Sequence, residues 1–325
     1  MYTVTILIAF LLLSTVVHHL ILKAEIRRHQ PPGKLIELDG HRMHIAGSGS
    51  GQPTIVMTCG NGAPCAITEF YPIASKLSGI ARTCIYERPG YGWSNPTSVS
   101  RDTEQIVCDL KRLLEKAGEK PPYLFVAHSM GAMEVLLYTH KYPGEVTGIV
   151  LVDGTSPYKH IHYPKLSIPN IGIQFIRFIN FTGLLRIANE LHLNPLVNCR
   201  MKYLPKNIGI IDKVMIYKNL MNNMIVREGE PLESIALKWN GNIDIKNKPL
   251  IIYSADSSLK KLPGWYESQK SLAELSANSK HVIVKNSNHI TILHKHWEEI
   301  TGGIEELLRG MKAKEVNQND NNGNG

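Results

Sequence analysis

The residues Ala127-His128-Ser129-Met130-Gly131 place a serine between two small residues, each two positions away. A short apolar run, Tyr123 to Ala127, precedes the serine, and Met130 to Tyr142 reads as a helix after it. A serine on such a strand-to-helix turn stands at the carboxyl edge of a sheet. The flanking residues are small because strand and helix approach closely there. A serine hydroxyl is a poor nucleophile until a base removes its proton. With 14 histidines in the chain, that base has to be found by position. His289 alone follows a final strand, His281 to Lys285, and precedes a closing helix, Trp297 to Met311. His294 and His296 lie nearer that helix and read as surface residues. The His128 side chain is expected to point away from that of Ser129.

The elements that must position Ser129 and His289 alternate along the chain. Asp39-Gly40 is a hairpin turn signal within a strand-rich start. Pro53 to Thr58 reads as a buried strand, and Ala81 to Glu87 as another. Residues 102–118 read as a helix capped by Asp102 and stopped by Gly118. Thr147 to Val152 and Pro249 to Ser254 are further strands, and Trp265 to Leu275 a further helix. Such alternation implies an α/β fold, a mostly parallel central sheet with helices on both faces. The pattern breaks between Ser156 and Asn247, where helix-like stretches occur without a clear strand. The expected organisation is an α/β core from 34–155 and 248–311 with a helical insertion at 156–247. The polar, Gly/Asn-rich tail 312–325 is expected to be disordered.

At this level of detail the chain resembles the α/β-hydrolase fold superfamily over roughly residues 34 to 311. Glu87-Arg88-Pro89-Gly90-Tyr91-Gly92-Trp93-Ser94 is similar to the family's glycine-rich loop after its fourth strand, which shapes the floor of the site. Cys59-Gly60-Asn61-Gly62 stands in the place of its His-Gly loop. The resemblance implies Ser129 as nucleophile, His289 as base, and an oxyanion hole from the backbone N–H groups of Asn61 and Met130. It implies an acid at one of two places. Asp256 comes after the strand that usually carries it, although the usual spacing falls on Ser258. Asp153 ends the strand beside the nucleophile strand, and some branches carry the acid there. Those branches also have a Trp-containing helix before the histidine strand, as in Gly264-Trp265-Tyr266-Glu267. Asp153 is therefore preferred and Asp256 kept as the alternative. Within this family the insertion forms a lid, and a serine at the elbow argues against the dehalogenase branch, whose nucleophile is a carboxylate. No cofactor or metal is implied.

Tyr2 to Leu22 contains no Asp, Glu, Lys or Arg. About 20 apolar residues match a hydrocarbon core of about 30 Å, so residues 1–22 read as a transmembrane anchor and 23–33 as a linker. Neither a positive n-region nor a small-residue cleavage site marks a signal peptide. Lys23, Arg27 and Arg28 come after the apolar stretch, which places the body in the cytoplasm by the positive-inside rule. The lid carries most of the chain's net charge of +8. Its cations are expected either to be solvated or to face an anionic leaflet. Nucleic acid is not a partner, since no RNP, zinc or helix-turn-helix signature occurs. The 5 scattered cysteines, without a C-x-x-C pair, argue against a disulfide framework.

The resulting expectation is a membrane-anchored serine hydrolase that cleaves an ester, amide or related acyl bond in a small-molecule substrate, with lipid-like acyl compounds among the candidates. A non-catalytic binding or scaffold protein on the same fold is the alternative, because fold alone does not fix function.

Overall fold

The computed structural model describes residues 2–163, 169–239 and 242–322. Eight strands form one sheet: β1 (Lys34–Leu38), β2 (His41–Ser48), β3 (Thr54–Thr58), β4 (Thr83–Glu87), β5 (Tyr123–His128), β6 (Val146–Val152), β7 (Leu250–Ala255) and β8 (Ser279–Val284). Their order is β1-β2-β4-β3-β5-β6-β7-β8. β2 runs antiparallel to both β1 and β4, and the other pairings are parallel. Asp39 and Gly40, both at positive φ, close the β1–β2 hairpin as their sequence demands. β3, β4, β5 and β7 are buried at every residue. A parallel sheet covered on both faces requires this, which is why these strands read as unbroken apolar runs.

Before the lid, the helices are α1 (Tyr2–Arg28), α2 (Ala66–Leu77), α3 (Thr103–Ala117) and α4 (Gly131–Lys141). The lid comprises α5 (Pro157–His162), α6 (Asn170–Phe181), α7 (Leu184–Glu190), α8 (Pro195–Met201), α9 (Lys206–Asn219), α10 (Asn223–Gly229) and α11 (Leu232–Trp239). After the lid come α12 (Asp256–Lys261), α13 (Trp265–Ala273), α14 (Ile292–Lys295) and α15 (Trp297–Asn322). α3 and α4 pack on one face of the sheet, while α2 and α15 pack on the other. Asp102 caps α3 by accepting from the Gln105 N–H at 2.8 Å, and Gly118 ends it in the left-handed conformation. Such a cap contributes about 1 kcal/mol.

Two boundaries differ from the sequence reading. The N-terminal apolar helix does not stop at residue 22, the expected end of the anchor, but continues to Arg28. The short segment between α1 and β1 is pinned to the core and is not a loose linker. The Trp93 indole donates to the His29 carbonyl at 2.9 Å, and His44 Nε2 lies 2.7 Å from the Pro32 carbonyl. α15 also runs past Met311 through the segment expected to be disordered. Lys312-Ala313-Lys314-Glu315 are strong helix formers, and neither Gly nor Pro interrupts the chain again until Gly323.

Lid and core are joined by buried charge. Glu228 of α10 accepts from Arg88 at 3.2 Å, from Arg101 at 2.8 Å and from the Tyr91 hydroxyl at 2.7 Å. All of these groups are withdrawn from water. Removing one partner of a buried pair leaves the others unpaired, which costs about 3–5 kcal/mol. Glu228→Ala is therefore expected to lower the thermal midpoint of the purified chain by about 10 °C. A change within about 2 °C would show that the network contributes little.

Candidate active site

Ser129 comes directly after β5 at φ 53°, a left-handed conformation that a serine adopts only when its surroundings enforce it. Packing enforces it here. The backbone turns sharply from strand to helix, and a Cβ placed on Gly60 would lie 2.7 Å from the Ser129 Cβ. The turn lifts the hydroxyl above the sheet edge, where His289 Nε2 meets it at 3.0 Å. His289 Nδ1 lies 2.7 Å from Asp153 Oδ2. The three side chains thus form a hydrogen-bonded relay across the ends of β5, β6 and the loop after β8.

Asp153 is fully buried and accepts three further hydrogen bonds. The Ala255 N–H donates at 3.0 Å, the Ser258 hydroxyl at 2.6 Å and the Trp265 indole at 2.9 Å. Burial alone would push this carboxyl up. The His289 hydrogen bond and charge, with the Ser258 and Trp265 donors, outweigh burial and hold it below the usual aspartate value. It therefore stays ionised and fixes the proton of His289 on Nδ1, leaving Nε2 free to accept from the serine.

Asp256 does not reach the relay. Its carboxylate accepts from the backbone N–H groups of Asn286 and Ser287 at 3.1 and 3.0 Å. It caps the loop that carries His289. Ser258, where the usual spacing would place an acid, instead donates to Asp153. Local sequence assigns neither Ser258 nor Trp265 a role. The Trp-containing segment is the only signal there, and it points to a branch of the family rather than to a hydrogen bond.

Arg88 of the glycine-rich loop organises the opposite wall. It donates to the carbonyls of Cys59 and Gly60 at 3.0 and 3.2 Å, which holds those oxygens away from the serine. The Asn61 side chain donates to the Ile225 carbonyl at 2.7 Å, which ties this turn to the lid. No hydrogen bond within the described residues uses the backbone N–H of Asn61 or of Met130. Met130 directly follows the serine, and Asn61 follows Gly60, whose Cα faces the serine.

Two histidines differ from expectation. His128 does not point away from the site: its ring lies 4.7 Å from that of His289. The left-handed turn at Ser129 ends the strand alternation, so both side chains reach the sheet edge. His128 Nδ1 lies 2.7 Å from Glu69 and Nε2 lies 3.1 Å from the His289 carbonyl. Burial works against its charge, but the Glu69 carboxylate outweighs it and raises the imidazole. Both partners are acceptor oxygens. His294 is not at the surface but almost fully buried, and burial with the nearby Arg200 charge lowers it to about 4. His296 is partly exposed, and its Nε2 lies 3.3 Å from the Asn286 carbonyl.

Ser129 and His289 open into a cavity of about 500 Å³ whose far wall is lid. Ile176 and Ile179 of α6, Leu185 of α7, and Ile216 and Leu220 from the α9 segment line it. These walls are apolar and offer a bound molecule mainly van der Waals contact. Among the described residues no cluster of His, Cys, Asp and Glu could hold a metal ion.

The sequence matches the family described as "alpha/beta hydrolase fold" over residues 53–301. The uncharacterized protein YbdG of Bacillus subtilis is 27% identical over 245 residues, which cover 74% of each chain. Among solved structures, an enol-lactonase of Burkholderia xenovorans aligns with TM-score 0.63 and 16% identity, over 85% of this chain and 100% of that one. A putative lipase of Acinetobacter baumannii aligns with TM-score 0.62 and 20% identity, over 91% and 97%. At these identities the solved structures speak for the fold alone.

The close approach of Gly60 to Ser129 gives a direct test of the geometry. Gly60→Ala would push the serine off its position, and a displacement near 1 Å at a reacting atom costs about 10² in rate. The variant is expected to lose at least that in turnover of a short p-nitrophenyl ester while its melting temperature stays close to the parent's. Undiminished turnover would mean that the serine is not held against this glycine.

Proposed function

The chain belongs to the alpha/beta hydrolase fold family, and from that premise we propose that it is a membrane-anchored serine hydrolase cleaving an ester, amide or related acyl bond. The observation that carries this reading is the unbroken Ser129–His289–Asp153 relay at the mouth of an apolar cavity.

Ser129 Oγ attacks the substrate's carbonyl carbon while His289 Nε2 takes the hydroxyl proton. The carbonyl oxygen becomes an alkoxide between the N–H groups of Asn61 and Met130. As the intermediate collapses, His289 returns the proton to the leaving oxygen or nitrogen, and the acyl group remains on Ser129. His289 then deprotonates a water that attacks the acyl-enzyme, which releases the acid and restores the serine. Asp153 keeps its charge throughout and stabilises the imidazolium that forms twice in each cycle.

A tether to the bilayer through α1 is supported by its length, a mean hydropathy of 2.3 over an 18-residue window and the exposure of nearly all its apolar side chains. Retention of α1, rather than cleavage, is supported by its packing on the lid. Arg186 of α7 binds Glu25 through two hydrogen bonds of 2.8 and 2.6 Å, and His18 is buried against the lid.

With p-nitrophenyl butyrate as substrate, Ser129→Ala is expected to lower kcat by at least about 10³ in a folded protein. Asp153→Asn is expected to cost about 10⁴, because the imidazole tautomer is no longer held. Asp256→Asn removes only the cap of the His289 loop and is expected to stay within about tenfold of the parent. Near-parental turnover in Ser129→Ala, or a larger loss in Asp256→Asn than in Asp153→Asn, would overturn the assignment.

A further inference from the structure

The lid helix α6 has two apolar sides. Ile176 and Ile179 face the cavity. Ile171, Phe175 and Phe178, at helical spacing, form a second stripe that is 81%, 63% and 50% exposed. None of the described residues covers it, and a contiguous exposed stripe of this kind marks a surface that meets another phase or partner.

The way α1 sits on the lid identifies that phase. The lid grips α1 from Ser14 onward. The Ser14 hydroxyl donates to the Thr182 carbonyl at 2.7 Å, and His19 packs on Phe181 with ring centroids 4.9 Å apart. A Cβ on Gly183 would come within 2.7 Å of the His18 Cβ, so the two backbones nearly touch. A hydrocarbon core of about 30 Å takes about 20 apolar residues. On the anchor reading these are Tyr2 to Leu22, which contain no Asp, Glu, Lys or Arg. That stretch includes the turns that the lid grips, and there Val16, Val17, Leu20 and Ile21 still present apolar side chains outward. The α6–α7 corner beside them must then lie at hydrocarbon depth. α6 and α7, bent by 71° at that corner, are together long and apolar enough for a broken membrane segment.

Resting on the anchor reading above, we propose that α6 is a second membrane contact, lying in the leaflet with Ile171, Phe175 and Phe178 among the acyl chains, so that acyl substrates pass from the bilayer into the cavity beneath it. The contact is apolar, not the cationic one that the lid's composition suggests. Lys213 is paired with Glu190 at 2.8 Å, and Lys218 donates to the Gly92 carbonyl at 2.6 Å. Arg200 is paired with Asp212 and Arg186 with Glu25.

The test uses the full chain in phosphatidylcholine nanodiscs doped with a phosphatidylcholine that carries a diazirine on its acyl chain. After irradiation, lipid adducts are mapped by mass spectrometry. Adducts are expected on the α6 peptide as well as on α1. Adducts on α1 alone would overturn the proposal, and adducts on neither would overturn the anchor with it. Crosslinking requires no turnover, so failure of the hydrolase reading would be seen separately in ester hydrolysis. Phe175→Gln with Phe178→Gln is expected to remove the α6 adducts and to leave hydrolysis of a soluble butyrate ester within about twofold. It is expected to slow hydrolysis of a long-chain acylglycerol dissolved in the bilayer about tenfold. Retained α6 adducts in that variant, or equal effects on both substrates, would also overturn it.

Discussion

An ionised carboxylate taken out of water costs several kcal/mol unless donors replace its hydration. Asp153 is such a group, and its four donors come from four different places: the end of β7, α12, α13 and the loop after β8. Each donor satisfies the charge, and in doing so is held at the end of β6. The charge thus sets the position of segments that are far apart in sequence. His289 inherits its place and its tautomer from this arrangement, and Ser129 inherits its partner from His289. The strained turn at Ser129 points the hydroxyl to the same spot from the other side.

Ser129 and His289, which the structure brings together, are both legible in the sequence as candidates, because each depends on a local pattern. Ser129 needs small neighbours between a strand and a helix, and His289 comes after a final strand. The acid is harder to read. Asp153 and Asp256 both end strands, and local sequence does not distinguish an aspartate that faces the imidazole from one that caps a loop. The Trp-containing segment favours Asp153 by resemblance, and the non-local contacts of the two carboxylates separate them: Asp153 meets His289, while Asp256 meets the amides of its loop. Non-local contacts account for the other differences. His294 is buried by α14 packing on α2, and His128 is turned into the site by Ser129's backbone. The lid's lysines and arginines look free in sequence, while many are engaged by carboxylates and carbonyls elsewhere in the chain.

The lid is the element through which the Ser129 site and the apolar N-terminal helix α1 are coupled. Glu228 fixes α10 to the buried arginines of the core, and the Asn61 side chain fixes its own glycine-flanked turn to the same helix. At the other end, α7 holds Glu25 and His18 of α1 through Arg186. The cavity lies between these two attachments and is roofed by lid helices.

Activation of Ser129 is tested most directly by the mass of the intact chain after brief exposure to a fluorophosphonate at neutral pH, with peptide mapping of the product. A single phosphonyl adduct on Ser129 is the expected result. An unmodified chain, or an adduct on another side chain with Ser129 untouched, would contradict an activated nucleophile at the end of β5.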